Sequence, residues 1–216
     1  MKNVIPFLTE LKNNNNREWF QANKKKYDRA KSEFEVFINE VIPELLKTDP
    51  QIGALTAKEC VFRIFRDVRF STDKSPYKTN MGGFIARGGR KGGYAGYYIH
   101  IDPEASFIAG GMYMPPADIL KKVRQEIMYN ADEFKGIIQK ASFQKTFGQL
   151  EGEMLKRPPK DFPADFPDIE LLKFKSYTVL HGVDASTVTA PNFGKYVLDV
   201  FNELKPLNHF LNRAME

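Results

Sequence analysis

The chain has 216 residues, 42% hydrophobic and 13% aromatic, enough to bury one sizeable core within the size range of one domain. Its formal charge of +5 favours encounter with phosphate-bearing partners but excludes a histone-like coating of DNA by charge alone. One cysteine, Cys60, excludes an intramolecular disulfide, and the first residues hold neither a signal-type apolar run nor a spanning helix, so a cytoplasmic protein without a membrane partner is expected.

In chain order, a short helix is predicted over 5–11 and a long one over 17–47. In the second, Trp19, Phe20, Tyr27, Phe34, Ile38, Val41, Ile42 and Leu45 recur at three- and four-residue steps. Asn16 is its expected N-cap, and Pro43 should kink it or end its regular part. The period then changes. Segments 60–66, 82–87, 94–101 and 107–112 are short, rich in aromatic or β-branched residues, and bounded by Gly, Pro or Asp, as successive strands are. Between them, 88–93 supplies a glycine-rich hairpin tip, and Asp102-Pro103-Glu104 a second turn. After Pro115-Pro116 the helical period returns twice, carried first by Ile119, Leu120, Val123, Ile127 and Met128, then by Phe134, Ile137 and Ile138. A proline-stiffened loop spans 156–163, a short helix and a further strand share 171–180, and a last helix runs over 193–210 with an interruption near Pro206. Strands grouped between helices predict an α+β fold, an antiparallel β-meander packed against N-terminal and C-terminal helices, in one domain over 1–216.

The run Arg63-Ile64-Phe65-Arg66-Asp67-Val68-Arg69-Phe70-Ser71-Thr72-Asp73-Lys74-Ser75-Pro76-Tyr77-Lys78 resembles the signature of DUF2461, a family of bacterial proteins of unknown function. The resemblance continues at Asn13-Asn14-Asn15-Asn16-Arg17-Glu18-Trp19-Phe20, Gly96-Tyr97-Tyr98, Ala109-Gly110-Gly111, Lys156-Arg157-Pro158-Pro159-Lys160 and Pro206-Leu207, and so covers nearly the whole chain. It departs from the family pattern at Asp161, where members often carry Gly, and at Phe166, where they often carry His. It implies no activity, cofactor or catalytic residue.

The residues themselves say more. Arg63, Arg66, Arg69, Lys74 and Lys78 stand against only Asp67 and Asp73, an excess of three positive charges in one strand and its turn. A guanidinium drawn from water needs an anion, and its planar fork suits a carboxylate or a phosphate. Three readings follow. In the first, Arg63, Arg66, Arg69, Lys74 and Lys78 hold an anionic small molecule or nucleotide, more readily than nucleic acid, with Ser71 and Tyr77 donating from their hydroxyls. In the second, the segment belongs to an enzyme of phosphoryl or acyl transfer, with Asp67, Asp73 or His100 as acid or base. In the third, the arginines are structural and paired to Asp67, Asp73 and carboxylates of the helices such as Glu18 or Asp28.

Other features weigh less. Arg87-Gly88-Gly89-Arg90-Lys91-Gly92-Gly93-Tyr94 resembles an RGG-like nucleic-acid element, though a charged hairpin loop explains it equally. His100 and Asp102 would share one strand face as two metal ligands or as a base with its orienting carboxylate, but lack a third partner, so no metal or cofactor is expected. Tyr94, Tyr97, Tyr98, Phe107 and Tyr113 suit a core, and any set facing outward beside the arginines would point to a ligand carrying a nucleobase.

Overall fold

Burial of the periodic apolar residues builds the N-terminal layer in the computed structural model, which describes residues 1–216. α1 (Val4–Asn13) buries Val4, Phe7, Leu8 and Leu11. The expected long helix is split in two. α2 (Arg17–Ala22) starts where Asn16 Oδ1 accepts the Trp19 N–H at 2.8 Å, and α3 (Lys24–Thr48) resumes after Asn23. At the break the Asn23 amide donates to the Trp19 carbonyl at 3.0 Å, giving a helix-end oxygen a partner. Pro43 neither ends α3 nor marks its boundary. Val41, Ile42 and Leu45 on either side of it are all buried, and that packing outweighs one missing helical hydrogen bond.

The expected strand over 60–66 is not formed. Cys60 instead ends α4 (Ala57–Cys60), a single turn closed by a capping box between Thr56 and Glu59. Its buried thiol is pushed up to about 11 by desolvation, far from an activated thiolate. Beyond it the chain meets β1 through an isolated bridge, Val61 to Gly83, and folds on itself through a second, Phe65 to Tyr77.

The sheet is an antiparallel ribbon in the order β1 (Met81–Ile85), β2 (Gly96–Ile101), β3 (Ser106–Met112), β4 (Tyr177–Val183). Helices α5 (Ala117–Tyr129), α6 (Ala131–Ile138), α7 (Ala141–Phe147) and α8 (Ile169–Leu172) separate β3 from β4, and α9 (Ala185–Thr189) and α10 (Phe193–Arg213) follow. α7 carries only two buried residues, Phe143 and Phe147, too few to leave a period in the sequence. α10 passes through Pro206 without interruption, for the reason that holds at Pro43: Leu204, Leu207, Phe210 and Leu211 around it are buried. The fold is α+β, as the strand grouping predicts, and no helix is long and apolar enough to cross a membrane.

Register assigns each strand residue to a face. Directly opposed residues share a side, so Gly83, Ile99, Ile108 and His181 form one rung, and Ile85, Tyr97, Gly110 and Val179 the next. The helices pack on this side. A side chain at Gly83 would meet Ile38 of α3, one at Gly110 would meet Leu204 of α10, and Tyr97 lies 4.8 Å from the Phe201 ring. His181 Nδ1 lies 2.7 Å from the Thr146 carbonyl of α7. A buried polar joint locks the layer: Asp49, 2% exposed, accepts from the Tyr97 hydroxyl at 2.6 Å and bonds His209 Nε2 at 2.9 Å. The rungs of the opposite side are Gly82, His100, Phe107 and Gly182, then Phe84, Tyr98, Ala109 and Leu180. None of these eight is charged at neutral pH apart from a titrating histidine, and six of them are half-buried or exposed aromatic and aliphatic side chains or exposed glycine.

Candidate functional site

The signature segment begins as an irregular ribbon. Arg66 N–H donates to the Pro76 carbonyl at 3.0 Å and Lys78 N–H to the Ile64 carbonyl at 2.8 Å, so residues 64–66 lie beside 76–78. Asn15 clamps the second arm, accepting the Tyr77 N–H at 3.2 Å and donating to the Tyr77 carbonyl at 2.9 Å. The Tyr77 ring is 3% exposed and stacks on Phe20 with centroids 4.0 Å apart. Tyr77, expected to offer a hydroxyl to a ligand, is therefore a core residue, drawn inward by Phe20 and Phe65.

Between the arms, residues 67–75 form a loop around Arg66. Its guanidinium pairs with Asp73, donates to the Ser75 carbonyl at 3.2 Å, and lies 3.4 Å from Ser71 Oγ. The Asp73 carboxyl is held down to about 2, first by the hydroxyl and backbone N–H of Ser75 and then by Arg66. Arg69 forks onto Asp67 in the open, with Nε at 2.9 Å and Nη2 at 2.6 Å, and Lys74 donates to the Val68 carbonyl at 3.0 Å. Phe70 at the tip is 96% exposed. Arg66, Arg69, Ser71 and Lys74 thus have partners inside the loop, whereas Glu18 and Asp28 contribute none: Asp28 is paired with Lys24 at 2.8 Å.

Arg63 and Lys78 differ. Neither has a carboxylate within ion-pair distance or a hydrogen-bond acceptor; Arg63 is exposed and Lys78 half-buried. Lys78 lies where the ribbon meets the uncovered side of the sheet, and the charge of Arg63 reaches it. Lys78 Nζ sits 5.4 Å from the centre of the Phe62 ring, and the Arg90 guanidinium 5.8 Å from the same ring. From Phe62 the rings continue over the strands. Phe62 meets Tyr98 edge-on at 6.2 Å, Tyr98 meets Phe107 at 5.8 Å, and Phe107 stacks on His100 at 4.3 Å and 12°. Gly82 makes room for this row, since a Cβ there would stand 2.5 Å from the Tyr98 oxygen.

Cations act on one another along the row, with Asp102 as a counterweight at His100. Burial lowers the Lys78 ammonium below its ordinary value, and Arg63 lowers it further; burial lowers the His100 imidazole, with Lys78 adding to the effect and Asp102 opposing it. Each cation therefore feels the next across the aromatic surface. Tyr98 is pushed up to about 12 by burial and stays a neutral hydroxyl, bonded to His100 Nδ1 at 3.0 Å.

A family model described as conserved hypothetical protein (DUF2461) matches residues 3–210. The chain belongs to the DUF2461 family. No curated protein and no solved structure matches it. Within this DUF2461 chain, the signature run therefore has two structural parts: a self-paired loop at 66–75, and two cations outside any ion pair, Lys78 over the Phe62 ring and Arg63 close enough to lower the Lys78 ammonium.

The expected pairing of His100 with Asp102 is not made. β2 ends at Ile101, and the Asp102 carboxylate turns to accept the N–H groups of Glu104 at 2.9 Å and Ala105 at 3.2 Å, while His100 turns to Tyr98 and Phe107. No three His, Cys, Asp or Glu side chains converge as metal ligands. Asp67 and Asp73, the other candidate acids, are occupied by Arg69 and Arg66. Neither Phe62 nor Arg90 belongs to the site expected from the signature run; in the sequence Arg90 stands out only in the separate RGG-like tip. Phe62 is set on the sheet by its N–H bonding the Gly82 carbonyl at 2.9 Å, and Arg90 reaches back to the carbonyls of Lys58 and Val61. Only the fold of the 89–91 turn brings them together, although Gly82 and Gly96 on one strand face were a legible sign that other groups approach that face closely.

Proposed function

We propose that the uncovered face of the sheet binds an anionic ligand carrying a planar ring, a nucleotide-type molecule, with Arg63 and Lys78 meeting its phosphate and Phe62, Tyr98 and Phe107 its ring. One observation carries this reading: a row of part-exposed rings ends at Lys78, and neither Lys78 nor Arg63, whose charge reaches it, is held in an ion pair. A ring stacked on aromatic side chains and a phosphate beside unpaired ammonium and guanidinium groups are each favourable, and together they fix orientation. Arg66, Asp73 and Ser75 hold the loop beside the site, and Arg69, Ser71 and Lys74 lie within reach of a larger anion if their present partners give way. A cytoplasmic setting, with nucleotides abundant and Cys60 reduced, suits this role.

The test is isothermal titration of AMP, UMP, adenosine and inorganic phosphate into wild type and into Tyr98→Ala and Lys78→Ala. Nucleotides are expected to bind better than nucleoside or phosphate alone. Loss of Tyr98 should weaken nucleotide binding by about 1–3 kcal/mol, the typical worth of one stacked base. Lys78→Ala should weaken the nucleotides while leaving adenosine unaffected. Nucleotide affinities insensitive to both substitutions would remove this assignment.

A further inference from the structure

We infer that the natural occupant of this face is a single strand of nucleic acid, of which a free nucleotide is only one unit; this rests on the reading of the sheet face given above. Three features of the surface carry the inference.

The first is shape. A small ligand is held in a concavity that encloses most of its surface. The aromatic row lies instead on the exposed side of the sheet, and two cavities of about 320 and 430 Å³ lie elsewhere, the first beside Asp49 and Tyr97 and the second beside Met128 and Asp168. A polymer suits a shallow surface because linked units add their contacts without each requiring a pocket.

The second is extent. Phe62, Tyr98 and Phe107 step across the extension of the sheet, β2 and β3 at 6.2 and 5.8 Å, which is a longer track than one base covers. Such rings stack on the faces of unpaired bases, faces that a duplex keeps inside its own stack.

The third is charge. A mononucleotide needs two or so cations, and Arg63 and Lys78 supply them. Yet Lys58, whose carbonyl accepts from Arg90, and Lys91, the residue after Arg90, are also exposed and in no ion pair. The 89–91 turn is folded onto α4 there, since the Arg90 guanidinium bonds the Lys58 and Val61 carbonyls and Gly89, at φ 66°, lies against the Glu59 backbone. The rungs of the face itself bring no carboxylate, and the nearest, Asp102, is turned into its own loop. This margin of cations beside rings is the arrangement that follows a phosphate backbone.

The test is fluorescence anisotropy with end-labelled ten-nucleotide single strands of RNA and of DNA, a hairpin duplex of the same composition, inorganic polyphosphate as competitor, and UMP and AMP, at 50 to 200 mM salt. A single strand is expected to bind at least tenfold more tightly than either mononucleotide and than the duplex. Its log–log salt slope should be about −2 to −3.5, at roughly −0.7 for each of three to five phosphates engaged. The double variant Lys58→Ala, Lys91→Ala should weaken the strand about tenfold and flatten that slope while leaving UMP and AMP unchanged. The RNA and DNA arms show which strand is preferred. Mononucleotides that bind while the ten-mer binds no tighter would overturn this inference and leave the nucleotide site standing; absence of binding in every arm would overturn both. Polyphosphate that competes as well as the strand, combined with no loss in Tyr98→Ala, would reduce the surface to non-specific electrostatics and also overturn it.

Discussion

The two faces of the four-stranded sheet are built from the same alternating strands yet do different things. On the covered face Ile85, Ile99, Ile108 and Val179 are sealed by α3 and α10. On the other, Phe84, Tyr98, His100, Phe107 and Leu180 are left half-buried, and no residue of their rungs carries a fixed charge. An antiparallel sheet with one wet face ordinarily carries polar residues there. Aromatic residues retained on a wet face contribute less to folding than the same residues in a core, so their presence asks for a role outside stability.

Ring deletion is the strongest way to break that comparison. Phe201 is wholly buried against Tyr97, and Phe201→Ala should destabilise the protein by about 3–5 kcal/mol, as large-to-small core changes do. Phe107→Ala on the open face should cost about 1 kcal/mol, while abolishing part of the ligand affinity. Urea unfolding of the two variants decides the matter. Equal losses would mean that the open face is a second core and not a binding surface.

A smaller effect comes from adding one carbon to each face. At Gly110 a new Cβ would collide with Leu204 of α10 and with the Gly96 carbonyl, and backbone cannot step aside, so Gly110→Ala should cost about 1–3 kcal/mol. Gly82→Ala meets only the outer end of Tyr98, which can swing toward solvent. Its stability should stay within about 0.5 kcal/mol of wild type, while nucleotide or strand affinity falls because Tyr98 has moved. Thermal melts paired with titrations separate the two outcomes.

The signature loop offers a contrast of a different kind, self-paired charge beside unpaired charge. Because the folded Asp73 carboxyl sits at about 2 and its ordinary value is 3.8, the unfolded chain takes up the proton first as pH falls. The contribution of this carboxylate is complete above 3.8 and is lost on the way down to about 2. The difference in Tm between wild type and Asp73→Asn should therefore shrink across that window and vanish at its acid end. A difference independent of pH would mean that Asp73 acts through packing and not through its charge with Ser75 and Arg66.

Much of this was legible in the chain. Strand grouping, the Gly88–Gly93 tip and the heptad-like spacing of Phe34, Ile38, Val41 and Leu45 are local signals, and local signals survive in sequence. The errors came where tertiary packing overrides a local rule. Pro43 and Pro206 are breakers in isolation but are carried through by buried neighbours, and Cys60 follows a capping box that outweighs the β-branched residues after it. For the site, charge counting named Arg63 and Lys78 together with Arg66, Arg69 and Lys74 and had no means of telling the paired cations from the unpaired. Arg66 and Arg69 are satisfied within nine residues, whereas the unpaired state of Arg63 and Lys78, and the arrival of Phe62 beside Tyr98, are long-range facts that no spacing encodes.

The faintest expected effect is the most direct reading of the charge on the open face. His100 is lowered from its ordinary 6.5 by burial, and Lys78 adds to that. Between the depressed folded value and 6.5 the unfolded chain binds the proton more readily, so the histidine's contribution is full above 6.5 and falls as pH drops below it. The titration midpoint of the His100 ring protons, followed by NMR, should lie below 6.5 in wild type and move upward in Lys78→Met, which removes the ammonium and keeps the chain over Phe62. A bound phosphate should act like the substitution, neutralising Lys78 in place. If the midpoint rises with Lys78→Met and also with saturating ligand, but ligand adds nothing further in the variant, the anion sits on Lys78. A midpoint that moves with ligand equally in both proteins would place the anion elsewhere on the face and leave Lys78 a bystander.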